Sequence, residues 1–226
     1  MSGAWLTYVY FEPMPACPPG LFEQVVSAYV DKGCVYATQL EGYEVGHYGS
    51  LDGSEFYSSD DLYTALGWLA EKGSGCIQLW YPAEAMEFLL YFNPTAHGIR
   101  EDKVTPLGYM YLWLPGTYLW GEQPAILSRR FELVYEWSKI LTTTMHPLYG
   151  WGDLDRVGDR SSPILTSDIV HRQIPRFSWW SYFSREYVEQ IGRGRLSTAA
   201  AWLDQEDENG LTVILRPPTI PAHASA

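Results

Sequence analysis

Three segments in the middle of the sequence, residues 75–81, 86–92 and 107–114, have side chains that alternate with a period of two. In the last segment, for example, aromatic and aliphatic residues alternate: Tyr109, Tyr111 and Trp113 with Met110, Leu112 and Leu114. A period of two is that of a β-strand, in which successive side chains point to opposite faces of a sheet. No helical pattern separates the three segments, and strands that follow one another without a crossover helix pair antiparallel. The centre of the chain is therefore predicted to form an antiparallel meander.

Apolar residues at helical spacing flank this meander on both sides. They predict a helix that ends at Gly33, a second helix that ends at Gly73, and a long third helix over residues 124–145. Ser58, with Asp61 three positions later, resembles a capping box and is the predicted start of the second helix.

The long third helix carries a broad apolar stripe that suits packing across a sheet. Phe131, Val134 and Leu141 share one helical face and are predicted to be buried. The remaining patterns predict strands over 4–12, 34–39 and 176–183, a loop over 146–162, a short helix that begins at Ser184, and a final hairpin over 201–205 and 211–216. Because strands and helices are mixed without strict alternation, the predicted fold class is α+β, an antiparallel sheet covered by helices, in a single domain over residues 1–216 with a loose tail over 217–226.

The charge of the chain is one-sided and unevenly distributed. Its 226 residues include 27 acidic and 15 basic side chains, and the formal net charge is −12 at pH 7. Residues 1–113 hold 14 acidic and 4 basic side chains, and neither Lys nor Arg stands between Lys32 and Lys72. That interval contains the residues predicted to form one exposed negative patch: Glu41, Glu44, Asp52, Glu55, Asp60 and Asp61.

This charge distribution favours some partners over others. Binding to nucleic acid depends on basic side chains that neutralise phosphates, so we expect neither nucleic acid nor an anionic membrane surface as a partner. An acidic surface instead steers basic partners toward itself. The alternative is an acidic surface that only keeps the protein soluble.

Motifs for metal binding and nucleophilic catalysis do not occur in the sequence. The three cysteines, Cys17, Cys34 and Cys76, are odd in number and match no metal or redox spacing. The acidic series from Asp153 to Asp159 lacks the alternation and the terminal Glu of an EF-hand loop. We therefore expect no metal and no cofactor. With no secretory signal and no apolar run of about 18 residues, a cytoplasmic protein with reduced cysteines is expected.

Two functions from other classes stay open. Acidic side chains beside aromatic ones are also typical of glycan-hydrolysing sites, in which a carboxylate pair provides acid and base. The candidates for such a pair and its aromatic neighbours are Glu41, Glu44, Asp52 and Glu55 with Trp80 and Trp113. A hydrolase needs a pocket in which one carboxyl has a raised pKa. A structural subunit of a bacterial or phage assembly would instead present a flat apolar patch.

Two stretches in the second half of the chain resemble a known family. Residues 146–153, HPLYGWGD, directly follow the predicted long helix. Residues 180–192, WSYFSREYVEQIG, precede Leu196, Ala201, Trp202 and the final hairpin. Over residues 125–216 this order is similar to that of bacterial immunity proteins from polymorphic-toxin and type VI secretion loci.

The resemblance implies a non-enzymatic protein that binds and neutralises one cognate protein toxin, often a nuclease. A nuclease presents a basic surface to phosphate, and an acidic inhibitor can occupy that surface. On this interpretation Tyr149, Trp151 and Asp153 join the acidic residues as candidate contacts. The same three residues have a structural interpretation, in which they hold a loop at the end of the long helix.

Overall fold

Ten strands form one continuous antiparallel sheet in the part of the chain that the computed structural model describes. That part comprises residues 3–9, 17–36, 46–94, 108–115, 118–119, 124–154, 179–197 and 201–215, with the backbone alone for residues 3–9, 124, 153 and 154. The strands are β1 Gly3–Val9, β2 Gly46–Gly49, β3 Phe56–Ser59, β4 Gly75–Tyr81, β5 Met86–Asn93, β6 Tyr109–Pro115, β7 Tyr149–Leu154, β8 Trp180–Ser184, β9 Ala201–Glu206 and β10 Gly210–Leu215. The helices are α1 Leu21–Asp31, α2 Leu62–Lys72, α3 Pro124–Met145 and α4 Arg185–Ile191.

The order of the strands across the sheet is β3-β2-β4-β5-β6-β1-β7-β8-β10-β9. The predicted meander is confirmed, since β4, β5 and β6 are antiparallel neighbours in which Leu79 lies opposite Phe88, and Leu90 opposite Leu112. The first strand of the chain lies in the centre, between β6 and β7. The first strand therefore joins the two halves of the described sheet, and β3 and β9 are its two edges.

One face of the sheet packs against α1, α2 and α3, as the α+β prediction requires. Phe131, Val134 and Leu141 of α3 are buried, and Phe131 is only 3% exposed. Trp137 of the same helix contacts Phe88 of β5, with ring centroids 4.5 Å apart. Each large apolar side chain that is fully buried contributes about 1.5–3 kcal/mol, so this layer supplies most of the hydrophobic stabilisation.

The opposite face is covered by α4 at the β7-β8-β10 end of the sheet. Tyr149 and Trp151 of β7 pack there with Phe183 of β8, Leu211 of β10 and side chains of α4. Side chains alternate in a strand, so Tyr182 lies on the α3 face and its neighbour Phe183 on the α4 face. The two cores therefore share the same strands.

The prediction of a loop over residues 146–162 is wrong for Tyr149–Leu154, which form the interior strand β7. Glycines at 150 and 152 are typical of turns, but here both lie in a strand, and Gly152 allows close packing. A Cβ on Gly152 would lie 2.6 Å from the Cβ of Trp180. The rest of the predicted loop, from 155 onward, lies outside the described residues.

The predicted helix cap is also wrong. Ser58 lies in β3, and its hydroxyl oxygen is 2.8 Å from the Nδ1 atom of His47. Asp61 is the N-cap of α2, because it directly precedes the first helical residue and its carboxylate accepts two backbone N–H bonds. The predicted end of the helix at Gly73 is confirmed, with this glycine in the left-handed region at φ 70°.

The remaining elements predicted from the sequence agree with the structure with few differences. The predicted strand over 34–39 appears as a single bridge between Val35 and Trp80, and its residues 37–39 are outside the described part. The helix from Ser184 and the final hairpin are confirmed. Among the described helices, none is both long and apolar enough to cross a membrane.

Candidate functional site

The outer edge of the sheet at β3 combines exposed aromatic rings with carboxylates. We call this surface the acidic-aromatic edge and define it by Asp52, Glu55, Phe56, Tyr57, Asp60, Asp61 and Tyr63. Phe56, Tyr57 and Tyr63 are 59%, 40% and 76% exposed. They are three of the five large hydrophobic side chains that are exposed in the described residues. Exposed apolar side chains gathered in one place mark interaction surfaces more often than single ones do.

A tight turn at one end of β3 is organised by Asp52. Its carboxylate accepts hydrogen bonds from the Ser50 hydroxyl at 2.7 Å, the Ser54 hydroxyl at 2.7 Å and the Ser54 backbone N–H at 3.0 Å. The hydrogen bonds from Ser50 and Ser54 lower the pKa of Asp52 to about 2. Asp52 is therefore exposed, ionised and fixed in position.

The other end of β3 leads directly into α2 through Asp60 and Asp61. The Asp61 carboxylate accepts bonds from the backbone N–H of Tyr63 at 3.0 Å and of Thr64 at 3.2 Å. The Thr64 hydroxyl also donates to it at 2.8 Å, and these bonds lower the pKa of Asp61. Asp60 is exposed and forms no ion pair within the described part of the chain. The helix start holds Tyr63 outward, beside both carboxylates.

Lys72, the first Lys or Arg after the acidic run, lies at the end of α2 and is already engaged. Its ammonium group lies 3.2 Å from the Glu55 carboxylate and 5.5 Å from the centre of the Trp68 ring. The hydrogen bond and charge of Glu55 raise the pKa of Lys72. Glu55 is half-buried and neutralised, so the uncompensated negative charge of the edge rests on Asp52, Asp60 and Asp61.

The aromatic rings of the edge are held from behind by packing. On the helix side, Tyr57 stacks on Tyr48 at 5.5 Å and contacts Trp68 of α2 at 5.7 Å. On the other face, Phe56 stacks on His47 at 5.1 Å. Rings fixed in this way lose little side-chain entropy when a partner covers them, which is the property of an interface anchor.

A buried tyrosine hydroxyl lies close to the same surface. A Cβ on Gly46 would lie 2.5 Å from the Tyr36 ring, so Gly46 allows this ring to pack against the end of β2. Burial raises the pKa of Tyr36 well above its usual range, and Tyr48, Asp61 and Asp60 add to the shift. The Tyr36 hydroxyl has no hydrogen-bond partner among the described residues.

The four described acidic candidates do not meet at one point. Asp52 and Glu55 precede β3, whereas Asp60 and Asp61 follow it. A strand of this length spans about 13 Å, which exceeds the screening length of about 8 Å at physiological salt. The negative charge therefore lies at the two ends of an aromatic strip. Glu41 and Glu44 lie outside the described residues.

The candidate contacts from the second half of the chain occupy different places. Tyr149 and Trp151 are buried under α4, so they are core residues of strand β7 and do not hold the predicted loop. Asp153 lies on β7 opposite Trp5 of β1, within the sheet and not in a loop. None of the three belongs to the acidic-aromatic edge.

The residues proposed for a carboxylate pair do not form a common site in the described structure. Trp80 lies on β4 and Trp113 on β6, with β5 between them, whereas Asp52 lies in the turn before the edge strand. Hydrogen bonds lower the pKa of Asp52, which is the opposite of the shift that a general acid needs. No group of three or more His, Cys, Asp or Glu side chains that could hold a metal occurs in the described ranges.

Sequence reasoning found the carboxylates of this edge but missed Phe56, Tyr57 and Tyr63. The available signal was three aromatic residues within a segment otherwise rich in Ser and Asp. Neither a protein-family model, nor a curated protein, nor a solved structure matches this chain.

Proposed function

We propose that the protein is a non-enzymatic immunity protein that binds and neutralises a cognate bacterial toxin with a basic surface, such as a nuclease. The observation that carries this proposal is the acidic-aromatic edge, where exposed rings are framed by unpaired carboxylates. Phe56, Tyr57 and Tyr63 supply the apolar anchors. The similarity of residues 146–153 and 180–192 to immunity proteins of toxin loci is in agreement with the proposal but does not itself identify the contact surface.

The two components of the edge have different tasks in such a complex. Carboxylates steer a basic partner over distances comparable to the screening length and so increase the association rate. Aromatic side chains that become desolvated at the centre of an interface determine mainly the dissociation rate. A toxin whose substrate is nucleic acid must carry clustered Lys and Arg, and this cluster is the surface that the inhibitor would cover.

The decisive experiment is co-purification with the product of the adjacent gene, followed by measurement of association and dissociation rates at two salt concentrations. Asp60→Lys tests steering, because Asp60 makes no ion pair in the described residues and its loss spares the turn and the cap. Glu189→Lys is the matched control, since it makes the same charge change on an exposed position of α4.

We expect the wild-type association rate to fall steeply with salt. Asp60→Lys should slow association several-fold at low salt, whereas Glu189→Lys should change it little. Tyr63→Ala should mainly accelerate dissociation, about 30-fold. This factor corresponds to the loss of about 2 kcal/mol of binding free energy that is typical of a hot-spot residue. Absence of any complex with the adjacent gene product, or equal rates for the wild type and all three variants, would contradict the proposal.

A further inference from the structure

The backbone of β3 is paired with β2 on one side and has no neighbouring strand on the other side in the part of the chain that the structure describes. The Ser50 backbone N–H donates to the Glu55 carbonyl at 2.9 Å. Hydrogen-bonded and non-hydrogen-bonded pairs alternate in an antiparallel ladder, so this bond shows which residues of β3 direct their backbone groups toward β2. From this pair onward, Tyr57 and Ser59 are opposite Tyr48 and Gly46 and direct their N–H and C=O groups toward β2. The alternate residues, Phe56 and Ser58, direct theirs outward. The side of β3 away from β2 has no neighbouring strand among the described residues.

The two edges of the sheet differ in how they are protected. At β9, Arg193 pairs with Asp204 and Glu206, and Arg185 pairs with Glu206. The β9-β10 ladder also contains a register shift next to Ile214, and bulges and charge pairs discourage further strands from adding to an edge. The β3 ladder is regular, and Lys72 is occupied by Glu55.

We propose that β3 receives an extended, basic segment of the partner protein as an additional strand of the sheet. This inference rests on the proposed function and specifies how the toxin is held. Main-chain hydrogen bonds to Phe56 and Ser58 provide the pairing, as in other cases of strand addition. Lys or Arg side chains of the added strand reach Asp52 at one end and Asp60 and Asp61 at the other, and its apolar side chains cover Phe56 and Tyr57.

Charge decides between a basic segment and a second copy of this chain. Two β3 strands paired antiparallel would bring Asp52 of one copy near Asp60 and Asp61 of the other. Like charges placed opposite each other in a sheet are destabilising, and edge carboxylates are one means by which proteins avoid self-pairing. A basic strand converts the same carboxylates into attractive contacts.

The first test uses a capped peptide of about six residues that has lysine at both ends and consecutive valines between them, so that valines cover both Phe56 and Tyr57 on the two faces of β3. Its binding is measured by NMR titration of the isotope-labelled protein. We expect shifts centred on the amides of Phe56 and Ser58, and weaker binding as salt increases. A glutamate-valine peptide of the same length should not bind. A lysine-valine peptide that is N-methylated at alternate residues should also not bind, because it keeps the charge and loses the backbone donors.

The second test removes one outward backbone N–H from β3. Ser58→Pro removes an N–H that faces away from β2, at a position that spares the β2-β3 ladder. Ser58→Ala is the matched control, since it loses the same hydroxyl contact with His47 but keeps the N–H. We expect Ser58→Pro to weaken binding of the lysine-valine peptide about tenfold relative to Ser58→Ala, or ~1.4 kcal/mol, the net value of about one hydrogen bond.

The results separate this inference from the proposed function. Equal binding of the methylated and unmethylated lysine-valine peptides by the wild-type protein, or shifts centred on β9, overturns strand addition even if Ser58→Pro does not fold. A complex with the adjacent gene product that is equally tight for Ser58→Pro and Ser58→Ala overturns it and leaves the immunity function intact. Selective peptide binding without any toxin complex supports the β3 docking mode and contradicts the immunity function.

Discussion

Replacing Gly152 by alanine tests whether the glycine-rich motif of β7 has a packing role. A Cβ at this position would lie 2.6 Å from the Cβ of Trp180 and 2.7 and 2.9 Å from two ring atoms of Trp179. Carbon atoms normally approach to about 3.5–4.0 Å, so both tryptophans must move by nearly 1 Å. Their room to move is small, because Trp179 contacts Phe131 and Trp180 contacts Tyr135.

Overpacking of this kind costs about 1–3 kcal/mol. For a chain of this length the expected decrease in Tm is therefore about 2–12 °C. Urea unfolding followed by tryptophan fluorescence measures the change in the free energy of unfolding. Trp179→Phe in the Gly152→Ala background should recover part of the loss, because two of the three close atoms belong to the Trp179 ring.

Gly67→Ala is the matched control for this substitution. Gly67 is exposed in α2, and nothing lies within 4 Å of a Cβ placed there. The same chemical change should stabilise the protein by about 0.5–1 kcal/mol, because glycine is unfavourable inside a helix. If Gly152→Ala is as stable as the wild type, the proposed packing role of this glycine in β7 is refuted.

Three further predictions follow from the described contacts. Phe131→Ala should lower the free energy of unfolding by about 3–5 kcal/mol in urea titration, since its buried ring leaves a cavity between α3 and the sheet; a loss below about 1 kcal/mol would contradict this. The folded pKa of Asp52 is about 2 against an ordinary value of 3.8, so its stabilising contribution is present above about pH 4 and is lost as the pH falls toward 2. The Tm of the wild type should accordingly fall more steeply than that of Asp52→Asn in this window, and parallel curves would argue against it. A chelator should change neither the Tm nor partner binding, and a shift of several degrees would reveal a metal that the sequence does not predict.

Local patterns predicted the elements that depend on neighbouring residues. The period of two in β4, β5 and β6 and the helical spacing in α1, α2 and α3 reflect which side chains must face a core, and this requirement is visible within one element. Gly73 ends α2 for a similarly local reason, because the residue after the helix is in the left-handed region. The acidic run is equally a property of the sequence alone.

The position of each element in the sheet was decided by the tertiary structure. Gly150 and Gly152 of β7 indicate a turn when considered locally, yet both belong to an interior strand, and Gly152 lies in close contact with Trp179 and Trp180. On the opposite face of β7, packing against α4 buries Tyr149 and Trp151, which the sequence left as candidates for partner binding. Nothing local distinguishes a glycine that permits a turn from one that permits close approach of two strands.

The candidate site shows the same division. The sequence determined that residues 33–71 carry acidic side chains and neither Lys nor Arg. Whether those residues face a partner depends on strand order, which joins β1 to the sequence-distant strands β6 and β7 and leaves β3 at the edge of the described sheet. β3 is an edge strand only because the remaining strands pair with one another. The exposure of Phe56, Tyr57 and Tyr63 is therefore a property of the assembled sheet, because the same aromatic residues in an interior strand would have been part of the core.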